Sequence, residues 1–151
     1  MVKLTLKDDS VLEVERGTSF LDAAKKISEG LARNAVAVKT DGKLRDITAT
    51  ADADCRFEVV TFADDEGKKV YRHTCSHVLA QAVKNLYPTV KLAIGPSIEN
   101  GFYYDFDFKT PITQEDFDKI EAEMHKIIKA NLPITRFVLP RAEAIELMKK
   151  K

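Results

Sequence analysis

Residues 63–69, Ala63-Asp64-Asp65-Glu66-Gly67-Lys68-Lys69, contain no large apolar side chain, and the spacing of hydrophobic residues changes period across them. This change constrains the fold more than any other feature, because a two-residue repeat calls for extended backbone and a 3.6-residue repeat for helix. The chain therefore reads as two folding units, 1–62 and 70–151, with 63–69 as a linker or exposed turn between them. Its 151 residues can build two small cores.

In the first unit Val2, Leu4 and Leu6 alternate with Lys3, Thr5 and Lys7, and the alternation resumes at Leu12 and Val14 after Asp8-Asp9-Ser10. This predicts a hairpin. Gly17-Thr18-Ser19 supplies a turn and an N-cap for a helix carrying Phe20, Ala24, Ile27 and Leu31, which Gly30 breaks or ends. Ala35 to Lys39, Leu44 to Ile47 and Arg56 to Phe62 read as strands, with Asp41-Gly42 as a hairpin turn. The order β-β-α-β-β-β within about 60 residues describes an α+β, ubiquitin-like β-grasp, a fold that specifies no function by itself.

The second unit begins with a helix from Val70 to Leu86, stopped by Tyr87-Pro88. Phe102, Tyr104, Phe106 and Phe108 share one face of a predicted strand, opposite Tyr103, Asp105 and Asp107. Thr113 caps a helix with the apolar stripe Phe117, Ile120, Met124, Ile127 and Ile128, ending near Asn131. Ile134 to Leu139 reads as a strand and Arg141 to Lys151 as a thinly covered helix. No closing strand follows Lys149-Lys150-Lys151, so this unit is expected to be the truncated N-terminal part of a larger α+β domain.

Charge limits the function classes. Twenty-four basic and 24 acidic residues cancel, so the chain lacks the global basic footprint of a stand-alone nucleic-acid binder, and any RNA contact must be local. Two distant cysteines, Cys55 and Cys75, build no disulfide framework, and the N-terminus has no secretory pattern. With no apolar run of membrane-spanning length, these features lead to the expectation of a cytoplasmic protein without membrane contact.

His73 and His77 are the candidate chemical residues. One helical turn apart, both imidazoles lie on the same face, where they could serve one water, metal or substrate. At about 100° per residue, Cys75, Val78, Leu79, Ala82, Val83 and Leu86 form an apolar stripe roughly opposite the two histidines. A chance pair on a solvated surface satisfies the same spacing. Zinc needs about three or four ligands, and Cys75 lies on the buried side, so this segment alone cannot complete a site. The glutamate that a metalloprotease requires beside the first histidine is missing, and Cys75 reads as a packed, inert thiol. Tyr104 carries a polar tip on an otherwise aromatic core face; His125 and Cys55 read as structural or incidental.

His73-Thr74-Cys75-Ser76-His77-Val78-Leu79, then Ala93-Ile94-Gly95-Pro96, then Glu99-Asn100-Gly101-Phe102-Tyr103-Tyr104-Asp105, resembles the editing domain of threonyl-tRNA synthetases, and the β-grasp before it is similar to TGS domains. The likeness covers the whole chain. It implies the following division: TGS domain at 1–62, linker at 63–69, and the N-terminal part of an aminoacyl-tRNA deacylase domain at 70–151. In that family a His-x-x-x-His helix faces a Cys-x-x-x-His segment; His73 and His77 match the first, and the second is absent from this sequence.

The resemblance implies that the parent enzyme attaches threonine to tRNA(Thr) using ATP, and that this region contributes to hydrolysis of seryl-tRNA(Thr). His73 and His77 are then catalytic and Tyr104 substrate-binding. No cofactor is expected for this region; ATP, Mg and Zn belong to the parent's catalytic domain. Partners implied are tRNA(Thr), the catalytic and anticodon-binding domains of the same chain, and a second copy in a homodimer. The pattern also resembles alanyl-tRNA synthetase editing domains and free-standing deacylases, where it holds zinc, with His73 and His77 as the candidate ligands. With only those two, tight zinc binding is not expected. The alternative is a TGS-containing module that recognises RNA or a regulatory ligand without catalysis. Balanced charge, and aromatics interleaved with aspartates rather than with basic residues, weigh against it.

Overall fold

A computed structural model describes residues 1–150; Lys151, the last residue of the expected C-terminal helix, lies outside the described residues. The first unit comprises β1 (Val2–Thr5), β2 (Val11–Val14), β3 (Thr18–Ser19), α1 (Phe20–Ile27), α2 (Glu29–Asn34), β4 (Ala35–Thr40), β5 (Lys43–Arg45), β6 (Thr50–Ala51) and β7 (Cys55–Thr61). Its five-stranded sheet runs β2-β1-β7-β4-β5, with β1 and β7 parallel and the other neighbours antiparallel. Alternation along β1 buries Val2 and Leu4 and exposes Lys3. These side chains meet Val14, Phe20, Ala23, Val38, Ala51 and Phe57 in one core, where the rings of Phe20 and Phe57 stack with centroids 5.6 Å apart. The expected β-grasp is present, and the Asp41-Gly42 turn has positive φ at both residues (49° and 75°), as the twist of a tight hairpin requires.

The helix of this unit departs from expectation. Gly30 neither breaks nor ends it; the break is at Ser28, which adopts extended backbone (φ −164°, ψ 131°) and accepts the Leu31 N–H to start α2, so that Gly30 lies inside a helix. A serine hydroxyl that can cap offers the backbone an alternative to continuing the turn. The two-residue pairing of β3 with β6 left no alternation long enough to read.

Within the segment 63–69, expected to be a linker or exposed turn, the chain is helical from Asp65 onward. Asp64 accepts the Thr61 N–H at 2.8 Å and occupies the N-cap position of α3, which runs from Asp65 to Leu86 with no break. Its first turns dock on the sheet: Lys39 pairs with Glu66, Phe62 packs edge-on against Tyr71 at 5.1 Å, and a Cβ on Gly67 would fall 1.8 Å from the Thr61 carbonyl oxygen. The segment lacks large apolar residues because close approach of backbone to backbone does the packing there.

Around α3 are β8 (Lys91–Leu92), β9 (Ser97–Ile98), β10 (Gly101–Phe102), β11 (Phe106–Asp107), α4 (Gln114–Ala130) and α5 (Arg141–Lys149). Ala82, Val83, Val90 and Ile120 form a second core, covered by Leu79, Leu86, Tyr87, Phe106, Phe108, Met124 and Ile127. The aromatic segment alternates as expected, with 102, 104, 106 and 108 half-buried and 103, 105 and 107 exposed, but it is two short strands pairing with different partners rather than one. Ile134 to Leu139 forms no strand, since no neighbour among the described residues pairs with it, and Ile134, Phe137 and Val138 are exposed. Phe117 and Ile128, expected in the core stripe of α4, also face outward. Thr113 caps α4 as predicted, in a reciprocal box with Asp116.

Two predictions follow from these contacts. Gly67→Ala forces the α3 backbone away from Thr61 and is expected to destabilise the chain by about 1–3 kcal/mol, read from urea unfolding. Asp116 accepts the Thr113 N–H and pairs with Lys119 at 3.1 Å, and together these hold its carboxyl well below the usual carboxylate range. Its stabilising effect is complete above that range and disappears as the pH falls through the lowered value. The urea midpoint of Asp116→Asn should therefore lie below that of the parent at neutral pH, and the gap should narrow on acidification.

Candidate functional site on the long helix

α3 carries His73 and His77 to the surface, both exposed, with their Nε2 atoms 3.1 Å apart and their rings at 81°. Such a bond requires one ring to donate from Nε2 and the other to accept there, so the donor ring retains Nδ1 as a proton acceptor. A linked pair of this kind can orient a water and take its proton.

Between them in sequence is Ser76, fully buried, whose hydroxyl lies 2.7 Å from the His73 carbonyl and 2.8 Å from the Gly95 carbonyl. One proton thus ties the histidine-bearing turn to the loop after β8. That loop enlarges the buried arc of α3 beyond the apolar stripe: Ser76 and Ala80 are covered as well, so the histidines border the buried surface rather than standing diametrically across from it. Sequence patterning missed Ser76 because a serine on a helix carries no burial signal.

Tyr104, half-buried, stacks on Phe106 at 4.8 Å and lies against Gly95, where a Cβ would meet its ring at 2.0 Å. Gly95 therefore brings Tyr104 onto the same loop that Ser76 anchors. Arg72, next to His73, donates to the carbonyls of Ile98 and Glu99 and closes the other end of that loop. It is a second residue that sequence reading missed, because its partners are backbone atoms. Cys75 is half-buried; burial, then Asp41 and Asp54, pushes the Cys55 thiol up, away from thiolate chemistry. His125 is on the outer face of α4, 3.7 Å from Glu121.

No cluster of three or more His, Cys, Asp or Glu side chains that could hold a metal occurs among the described residues. Two imidazoles alone do not fit zinc, which takes about three or four protein ligands. No helix among the described residues is long and apolar enough to cross a membrane.

The fold and the sequence together define a TGS-bearing chain: residues 2–61 match the TGS domain family. Over its whole length the chain matches the N-terminal region of threonine-tRNA ligases. It is 56% identical over 151 residues to the threonine-tRNA ligase of Clostridioides difficile (strain 630), covering 100% of this chain and 24% of that protein. The corresponding proteins of Acetivibrio thermocellus and Clostridium acetobutylicum are 52% and 53% identical over the same span, again 100% of this chain and 24% of theirs. The chain thus spans about a quarter of the length of the curated relatives it matches.

The Ser76 clamp gives a direct test. Ser76→Ala leaves the half-buried Gly95 carbonyl without its donor, and is expected to cost about 1 kcal/mol of stability. Amide exchange should quicken at Ala93 and Asp105, whose N–H groups bond to the Asp105 and Ile94 carbonyls across the loop.

Proposed function

We propose that this chain supplies the histidine half of a hydrolytic site that removes serine from mischarged tRNA(Thr), within an enzyme that joins threonine to that tRNA using ATP. The observation that carries this reading is the exposed, directly linked pair His73 and His77, on the helical turn that Ser76 ties to the Gly95 loop against which Tyr104 packs. Serine differs from threonine by one missing methyl, worth only about 1–3 kcal/mol in a binding pocket, so selection by binding leaves errors for a second, hydrolytic site to remove. In this reading His73 orients and deprotonates the water that attacks the seryl ester, His77 fixes the ring by its Nε2 contact, and Tyr104 lines the pocket for the seryl group or terminal adenosine.

The remaining parts of the proposal concern the whole enzyme: an ATP-dependent catalytic domain with its Mg and Zn, an anticodon-binding domain, a homodimeric cytoplasmic assembly, and tRNA(Thr) as RNA partner. The second half of the hydrolytic site comes from outside these residues, so the chain alone is expected to be inactive.

His73→Ala in a full-length threonine-tRNA ligase carrying this region is expected to lower the rate of seryl-tRNA(Thr) deacylation by about 100-fold while threonylation continues. Hydrolysis at the parent rate would remove His73 from the chemistry.

A further inference from the structure

Along α3, Lys69 precedes His73 by four residues and His73 precedes His77 by four, so the three side chains form one row on the helix. Beside Lys69, a groove of about 550 Å³ opens between the first turns of α3 and the β9–β10 hairpin, lined by Asp65, Lys68, Lys69, Arg72, Ser97 and Glu99 among others. The cations in it are not equivalent. Lys68 is held by Asp65 at 3.0 Å. Arg72 is fixed by backbone carbonyls, which position its guanidinium without cancelling its charge. Lys69 is exposed and pairs with no carboxylate among the described residues. Three cations against the two carboxylates Asp65 and Glu99 leave the groove one positive charge in excess in a chain of zero net charge, and Lys69, in line with the imidazoles, makes it a local anion-attracting track.

We infer that this groove receives the phosphodiester backbone of the RNA end whose ester lies at the histidine pair, with Lys69 as the phosphate contact and Arg72 as the fixed charge behind it. This rests on the deacylase reading above. It adds the route by which the strand approaches: along α3 from the Lys69 end, with its terminal nucleotide beyond His73. A single-stranded acceptor end needs such a backbone guide, because phosphate contacts set register while the reacting atoms are placed elsewhere.

The test is deacylation kinetics with seryl-tRNA(Thr) in the full-length ligase. Lys69→Ala should raise KM about three-fold at low salt with kcat unchanged, and reduce the slope of log KM against log salt by about one. Lys69→Glu should raise KM further, Lys69→Arg should restore the parent value, and a charge reversal at Lys129, in the last turn of α4 and outside the groove lining, should change neither quantity. Because Lys69 is exposed, the thermal midpoints of these variants should match the parent. Unchanged KM and slope in Lys69→Ala and Lys69→Glu, with hydrolysis lost in His73→Ala, would overturn the groove alone. Parent-rate hydrolysis in His73→Ala would overturn the deacylase reading and the groove with it. A fall in kcat at constant KM would assign Lys69 to the chemistry instead of the track.

Discussion

Everything in this molecule that could act on a substrate depends on α3 being one uninterrupted helix of 22 residues. At 1.5 Å per residue it is about 33 Å long, and it is shared between the two units. Its first turns press on the β-grasp through Gly67 and the Thr61 carbonyl, its middle carries the histidines, and its last turns fill the second core with Ala82 and Val83. A flexible tether at 63–69 would leave the two units free to reorient. A helix whose backbone touches the sheet fixes the direction in which the imidazoles point.

Polar contacts, more than apolar ones, shape the surface around those imidazoles. The second core lies under α4 and the end of α3, away from the histidines. Near them the loop of residues 93–100 is held by the Ser76 hydroxyl and the Arg72 guanidinium, both bound to carbonyl oxygens. Hydrogen bonds are directional, so they locate a loop more sharply than aliphatic packing of the same area. The arrangement also leaves the charge of Arg72 intact next to a chain that is neutral overall.

Much of the fold was legible in the residues. The two-residue alternation of Val2 to Val14, the Asp41-Gly42 turn and the Thr113 cap each have one physical solution, and each is found. The misreadings share a cause. Ser28, Gly67 and Ser76 are small or polar residues whose role is set by what approaches them, and no window of neighbouring sequence contains that partner. Ile134 to Leu139 shows the converse: its composition suits a strand, but a strand exists only where another edge completes its hydrogen bonds.

The sequence alone determined which residue types were available for chemistry and on which helical face they fall, because a spacing of four residues places two side chains one turn apart in any helix. It also determined the main strand and helix order of the β-grasp, which local periodicity encodes. Only the tertiary structure decided that Ser76 is buried against the Gly95 carbonyl, that Gly95 seats Tyr104 on the same loop, and that the charged stretch from Asp65 onward is the start of a helix docked against Thr61. Those outcomes depend on atoms distant in the chain meeting at van der Waals or hydrogen-bond range, a condition that side-chain periodicity does not encode.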